Sequence, residues 1–206
     1  MPDSPWPIIH AERRAILEDV RGLSAEQWAT ESLCPGWSVR DVFGHMAASA
    51  RMTPTRFIGH FTAAGFKFNK MVATDIVSET SGSIPDQIAA FTGLLGATTS
   101  PPGPVDAMVG EAVVHSSDIR RPLRITRDYP VASVIRAADF YKSSNLLLGT
   151  KSRIAGITLK ATDSDWTHGS GPEANGPMLS LLLAMTGRKV ALADLTGEGV
   201  AVLQSR

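Results

Sequence analysis

The feature that most constrains this chain is the helical spacing of apolar residues over its first 150 positions. Within residues 8–20, apolar side chains recur every three or four positions between charged ones, which is typical of an amphipathic helix. Ser38 and Ser83 each precede a similar segment and have an aspartate three residues later, a pattern that caps a helix at its first turn. The first part of the chain is therefore predicted to be helical.

Two prolines set the expected limits of the middle helices. The helix after Ser38 is expected to continue with a kink near Pro54, because proline interrupts helical hydrogen bonding. A later helix is expected over residues 105–119 and should stop at Pro122, and a final one covers residues 130–148. Most of the connectors are short, which favours an antiparallel bundle.

The pattern changes after residue 150. Four elements are expected there, a strand, a glycine-rich turn region, a short apolar helix and a second strand, over residues 154–161, 163–177, 178–186 and 200–203 respectively. The chain is therefore predicted to contain a helical domain over residues 1–150 and a small α/β domain over residues 151–206.

Composition excludes several classes of protein. Hydrophobic residues make up 43% of the 206 positions, which is enough for a packed core, and 20 basic residues balance 20 acidic ones. Neither nucleic acid nor a membrane is expected as a partner, and without a recognisable secretion signal the protein is expected in the cytoplasm. The single cysteine, Cys34, excludes an internal disulfide, and a metal site is expected to use His, Asp or Glu instead.

Three residues form a candidate metal site. Glu111 and His115 are four residues apart and project from the same face of a helix among apolar neighbours. His45 lies on a second apolar helix, which an antiparallel bundle can place opposite that face. Two histidines and one glutamate are a typical ligand set for catalytic zinc, and nickel or iron would accept the same ligands.

The same residues also fit roles that need no metal. A buried carboxylate and imidazole can satisfy each other by hydrogen bonding, and a lone core histidine is more often hydrogen-bonded than metal-bound. Asp118, three residues after His115, is expected either to orient His115 or to form a helix-end ion pair with Arg120 or Arg121. Cys34 lies in a Pro-Gly turn and is expected to be an idle or buried thiol, not a nucleophile.

Two segments resemble the mycothiol-dependent maleylpyruvate isomerase family, which belongs to the DinB-like group of metal-binding helical bundles. They are residues 35–45, PGWSVRDVFGH, and residues 110–123, GEAVVHSSDIRRPL. The tail around residues 161–173 is similar to the C-terminal region of that family. The resemblance implies a mainly α fold, a DinB-like antiparallel four-helix bundle followed by a small α/β C-terminal domain, with zinc held by His45, Glu111 and His115.

The resemblance also implies an activity. A divalent metal, most simply zinc, would hold a low-molecular-weight thiol, mycothiol in this family, as a thiolate that attacks a small electrophilic substrate. The expected outcome is isomerisation, or S-transfer if the thiol stays attached. The alternatives are a non-enzymatic bundle protein that binds metal or a small ligand, and a structural or dimerisation module. A monomer or a homodimer is expected.

Overall fold

A computed structural model describes residues 4–146 and 148–206, and the chain divides into two compact units, up to residue 126 and from residue 127. The predicted fold class is confirmed: the chain is mainly helical, and a small three-stranded sheet lies in the C-terminal unit. Among these described residues, no helix is both long and apolar enough to cross a bilayer.

The described residues of the first unit, from residue 4 onward, form seven helices. In chain order they are α1 Trp6–Val20, α2 Ala25–Trp28, α3 Val39–Arg51, α4 Pro54–Ala63, α5 Phe68–Glu79, α6 Ile84–Thr92 and α7 Asp106–Leu123. Helices α2 and α5 lie in segments for which no helix is predicted from the sequence. Helix α3 is the centre of the unit, because it packs against α5, α6 and α7, while α1 packs against α6 and α7.

The core of the first unit is apolar and aromatic. Ile16, Phe43, Phe91 and Ile119 are fully buried and come from α1, α3, α6 and α7. The Phe43 and Phe91 rings lie 4.5 Å apart between centroids. Burial of each such side chain stabilises the fold by roughly 1.5–3 kcal/mol. This core fixes α3 and α7 side by side.

The start of α3 confirms the predicted cap. The Ser38 hydroxyl accepts a hydrogen bond from the Asp41 backbone N–H at 3.2 Å, and the Asp41 carboxylate accepts one from the Ser38 backbone N–H at 2.9 Å. Two backbone groups that a helix start leaves without partners are thereby satisfied. The same arrangement occurs between Ser83 and Asp86 at the start of α6.

Pro54 begins a new helix, so the predicted kinked helix is wrong. Met52 is extended, with ψ 130°, and Thr53 caps α4 by accepting a hydrogen bond from the Arg56 backbone N–H at 3.2 Å. A residue before proline avoids the helical conformation, whereas proline fits the first turn of a new helix. Helices α3 and α4 are therefore separate.

Pro122 does not stop α7 either, because the helix continues to Leu123. Proline lacks the N–H that would bond to the carbonyl oxygen of Asp118 four residues earlier. That carbonyl instead accepts a hydrogen bond from the Leu33 backbone N–H at 3.2 Å. The last turn of α7 is thereby connected to the loop that precedes α3, and Arg124, with φ 57°, ends the helix.

The second unit contains a three-stranded sheet and short helices. Its elements are α8 Val131–Tyr141, α9 Thr150–Arg153, β1 Thr158–Ala161, β2 Thr167–Gly169, β3 Glu173–Gly176, α10 Met178–Met185, a 3-10 helix Lys189–Asp194 and α11 Gly199–Gln204. The strand order is β2-β1-β3, with β2 antiparallel and β3 parallel to β1. Leu159 of β1 is opposite His168 and Ala174.

Three expectations for this part of the chain differ from the structure. Residues 200–203 are helical and not a strand, since Gly199 and Leu203 of α11 are buried at the four-residue spacing of a helix. The glycine-rich segment predicted as a turn region contributes β2 and β3. Helix α8 ends at Tyr141 and packs on α10, so it belongs to the second compact unit, although its residues were expected in the domain over 1–150.

Candidate metal centre

The two imidazoles predicted as ligands lie next to each other between α3 and α7. The ring centroids of His45 and His115 are 4.9 Å apart, with the rings nearly perpendicular. Trp37, in the turn before α3, packs against both, with centroids 5.2 Å from His45 and 6.5 Å from His115. The packing of α3 against α7 thus brings together two histidines that are 70 positions apart in sequence.

Glu111 carries a buried oxygen atom without a partner. Its Oε1 has no hydrogen bond, and the Ser49 side chain, one turn after His45 on α3, is near enough to favour the charged form of the carboxyl group. Burial raises the pKa of Glu111 above its ordinary value, and the positive charges of His115 and Arg13 act against that rise. A buried carboxylate oxygen without a hydrogen bond is costly, and a cation would compensate it.

His115 is held from its other side by Asp118. The His115 Nδ1 lies 2.9 Å from the Asp118 Oδ2, and Asp118 is fully buried. Burial lowers the pKa of His115, but the hydrogen bonds to Asp118 and Cys34 outweigh it and raise the pKa to about 10. A carboxylate bonded to one imidazole nitrogen orients the ring so that its second nitrogen, here Nε2, can bind metal.

The two arginines in the last turn of α7 differ in their surroundings. Arg120 is buried and forms ion pairs with Glu12 and Asp19 of α1, at 2.6 Å to Asp19, so it ties α7 to α1. Arg121, one of the two expected partners of Asp118, is half-buried in the same turn. The Asp118 carboxylate contacts His115 and Cys34, which favours the orienting role for this residue.

Cys34 lies against this cluster, although it was expected to be an idle thiol. Its Sγ is 3.1 Å from the Asp118 Oδ2 and 3.7 Å from the His115 Nδ1. Among the described residues, the group of three metal-ligand side chains whose donor atoms all lie within 4.8 Å of one another is Cys34, His115 and Asp118. The contact spans more than 80 positions, so no local motif could have revealed it.

The predicted set His45, Glu111 and His115 is more open than that group. Ligands of a tetrahedral zinc ion lie about 2.0–2.2 Å from the metal, so their donor atoms must approach one another closely. Side-chain rotation at His45 and Glu111 would have to shorten the distances among the three, since within the described part of the chain they do not form a group at the 4.8 Å spacing. The adjacent imidazoles and the buried oxygen of Glu111 nevertheless fit a divalent cation in charge and in donor type.

Comparison with known proteins supports the fold. Residues 9–90 match the family model of the mycothiol maleylpyruvate isomerase N-terminal domain; the match contains His45 and ends before Glu111. A crystal structure of a mycothiol-dependent maleylpyruvate isomerase is similar, with a TM-score of 0.67 and 11% sequence identity over 94% of this chain and 91% of that chain.

A second crystal structure gives the same result. It is a histidine-to-alanine mutant of the mycothiol-dependent maleylpyruvate isomerase, with a TM-score of 0.65, 11% identity and the same coverage of both chains. At this identity the likeness establishes the fold. No curated protein matches the sequence significantly.

Proposed function

We propose that this chain, whose residues 9–90 match the family model of the mycothiol maleylpyruvate isomerase N-terminal domain, is a metal-dependent enzyme that uses a low-molecular-weight thiol on a small electrophilic substrate. The observation that carries the proposal is the buried Oε1 of Glu111, which has no hydrogen-bond partner and belongs to a residue one helical turn before His115. In this proposal His45, Glu111 and His115 hold one divalent ion, with zinc as the first choice and nickel or iron as alternatives.

A bound divalent cation would supply a Lewis acid that lowers the pKa of a thiol, so that the thiol is present as a thiolate at neutral pH. Mycothiol is the thiol we propose, following the names of the family and of the similar structures. The reaction is placed in the cytoplasm, where small thiols are kept reduced.

The chain's own residues have positioning tasks in this scheme. Asp118 holds Nδ1 of His115 and so fixes the orientation of the ring. Trp37 packs against both imidazoles and excludes water from that side. The protein needs no nucleophilic side chain, because the thiol supplies the attacking sulfur.

The reaction itself follows from thiolate chemistry. The sulfur adds to an electrophilic carbon–carbon double bond, the new single bond rotates, and loss of the thiolate restores the double bond in the other geometry. With a substrate that carries a leaving group, the sulfur would remain attached and the product would be a thioether. Isomerisation and S-transfer are therefore two outcomes of the same first step.

The experiment begins with metal analysis of protein purified without chelator. We expect close to one equivalent of a transition metal per chain, and less than about a tenth of an equivalent with no uptake on addition contradicts the proposal. The loaded protein is then incubated with mycothiol and a panel of cis-configured unsaturated acids and alkylating electrophiles. Mass spectrometry and NMR should detect a thioether or an isomerised acid.

The rival hypothesis, a non-enzymatic binding protein, predicts the same metal content without turnover. Full metal occupancy with no isomerisation and no thiol consumption across the panel therefore favours the rival. The Glu111→Gln variant is the control in both assays, because it keeps the size of the side chain and removes its charge. Turnover that persists unchanged in this variant would show that the metal set has been assigned incorrectly.

A further inference from the structure

We propose that Cys34, Asp118 and the Nδ1 atom of His115 form a second cation-binding site, which contains a thiolate and selects thiophilic ions such as Zn²⁺, Cd²⁺ or Cu⁺. The three donor atoms lie on the side of the His115 ring opposite Nε2, the nitrogen assigned to the metal in the proposed function. This site shares His115 with the proposed function but needs neither His45 nor Glu111.

The distances match a site in which a cation replaces protons. The Cys34 Sγ and the His115 Nδ1 lie 3.1 Å and 2.9 Å from the same carboxylate oxygen of Asp118, and 3.7 Å from each other. A metal ion with thiolate, imidazole and carboxylate ligands at about 2.0–2.3 Å needs donor atoms at nearly this spacing. On binding, the S–H and Nδ1–H protons leave to solvent and their lone pairs go to the ion.

The backbone holds the three donors in place from two independent segments. Asp118 and His115 are one turn apart on α7, and Asp118 is fully buried. The loop that carries Cys34 is fixed to α7 by the hydrogen bond from the Leu33 N–H to the Asp118 carbonyl. The Ser32 hydroxyl accepts a hydrogen bond from the Cys34 N–H at 3.1 Å and so fixes the turn itself.

The chemistry of the donors selects the kind of ion. A thiolate is a soft ligand, which favours Zn²⁺, Cd²⁺ and Cu⁺ and gives little affinity for Mg²⁺ or Ca²⁺, whose ligands are oxygen atoms. Cys34 is partly exposed, so an ion can reach it from solvent. Three protein ligands leave one coordination position for water or for an external thiol.

A cation bound at this second site would weaken metal binding by His45, Glu111 and His115. The bond between the His115 Nδ1–H and Asp118 is lost when Nδ1 holds a cation, and this bond orients the ring for binding through Nε2. The two sites therefore compete for the imidazole of His115. Thiophilic ions in excess are expected to inhibit the enzyme by this route.

The test is a Cd²⁺ titration followed by ultraviolet absorption, in which a thiolate ligand produces a sulfur-to-metal charge-transfer band. Because the chain has one cysteine, any such band reports on Cys34. In protein first stripped of metal, we expect the band in the unaltered protein and also in His45→Ala, where it should appear at the same or lower Cd²⁺ because the competing site is weakened. The band should disappear in Cys34→Ser. Mg²⁺ should neither produce the band nor compete for it.

Two further variants make the result decisive. In Asp118→Asn the midpoint of the band should move to at least tenfold higher Cd²⁺. In Glu111→Gln, which keeps Cys34, Asp118 and His115 and weakens the competing site, the band should appear at the same or lower Cd²⁺ than in the unaltered protein. Circular dichroism checks the fold of each variant, and Cys34→Ala replaces Cys34→Ser if the latter unfolds. Absence of the band in the unaltered protein, or its loss in His45→Ala and Glu111→Gln, overturns the proposal.

Discussion

Two histidine–aspartate pairs in the first unit each contain a hydrogen bond between the two side chains, but the pairs differ in burial and in their neighbouring residues. In one, the His60 Nδ1 on α4 lies 2.6 Å from the Asp75 Oδ1 on α5; in the other, His115 lies 2.9 Å from Asp118 on α7. The His60 side chain is 39% exposed, whereas that of His115 is 17% exposed and its partner is fully buried.

The neighbours of the two pairs explain why only one is a metal candidate. A small cavity beside His60 is lined by Arg51, Arg56, Asp75 and Glu79, and Arg51 forms an ion pair with Glu79 at 2.9 Å, so the second carboxylate there is already paired with a cationic side chain. His115 instead adjoins a second imidazole, a buried carboxylate and a thiol. A hydrogen bond between histidine and aspartate is therefore not diagnostic by itself; the additional donors make the site.

The strongest test of this difference is to replace the histidine of each pair in turn. His115→Ala should weaken binding of the metal by more than about a hundredfold, since a direct ligand matters more than the residues behind it. His60→Ala, the matched control, should bind metal as the unaltered protein does. Metal analysis after dialysis, together with titration of Zn²⁺, checks both, and equal losses in the two variants would contradict the distinction between the pairs.

Glu111→Gln separates a ligand from a structural carboxylate. We expect metal affinity to fall by about a hundredfold, because the amide removes the negative charge that the cation requires. The free energy of unfolding of the metal-free protein should change by no more than about 1 kcal/mol, because burial already disfavours the charged form of Glu111. Urea denaturation measures the second quantity, and a large loss of stability with metal binding intact would show a structural role.

Asp118→Asn and Asp75→Asn compare the two aspartates. The first should reduce metal affinity by about 10–100-fold, the usual effect of losing the carboxylate that orients a ligating histidine. The second should leave affinity unchanged, since His60 lies outside the proposed metal set. Competition with a chromophoric chelator gives both values, and an unchanged affinity in Asp118→Asn would remove the orienting role assigned to this residue.

The smallest expected effect is on the pH dependence of metal binding. The pKa of His115 is raised to about 10 in the metal-free protein, so its imidazole is protonated at neutral pH and binding must release that proton. The apparent affinity should therefore rise with pH by about tenfold per unit for each proton released. Calorimetry in buffers of different ionisation enthalpy counts the protons; His60→Ala should release the same number, and no release would be inconsistent with His115 as a ligand.

Local signals in the sequence predicted the helix starts well. Ser38 with Asp41 and Ser83 with Asp86 cap helices as expected, because capping depends on residues within one turn. The proline predictions failed for a related reason. The effect of Pro54 depends on the helix that begins there, and that of Pro122 depends on a distant partner, Leu33.

The candidate site was predictable only in part. Glu111 and His115 are related by helical spacing, and the pair is visible in the sequence. The approach of His45 depends on the packing of α3 against α7, which an antiparallel bundle allows, and the family resemblance implied His45 as a ligand. The contacts of Cys34 with Asp118 and His115 link segments more than 80 positions apart, and an isolated cysteine in a turn gave no indication of them.

Pro122 affects the arrangement of the site because it lacks a backbone N–H. An ordinary residue there would close the helical hydrogen bond to Asp118 and leave Leu33 to find another acceptor. Because the imino acid cannot do so, residue 118 serves two segments at once: its main chain anchors the Cys34 loop while its side chain holds the imidazole. The N–H that Pro122 lacks thus leaves the Asp118 carbonyl available to Leu33, and this hydrogen bond holds the Cys34 thiol near His115.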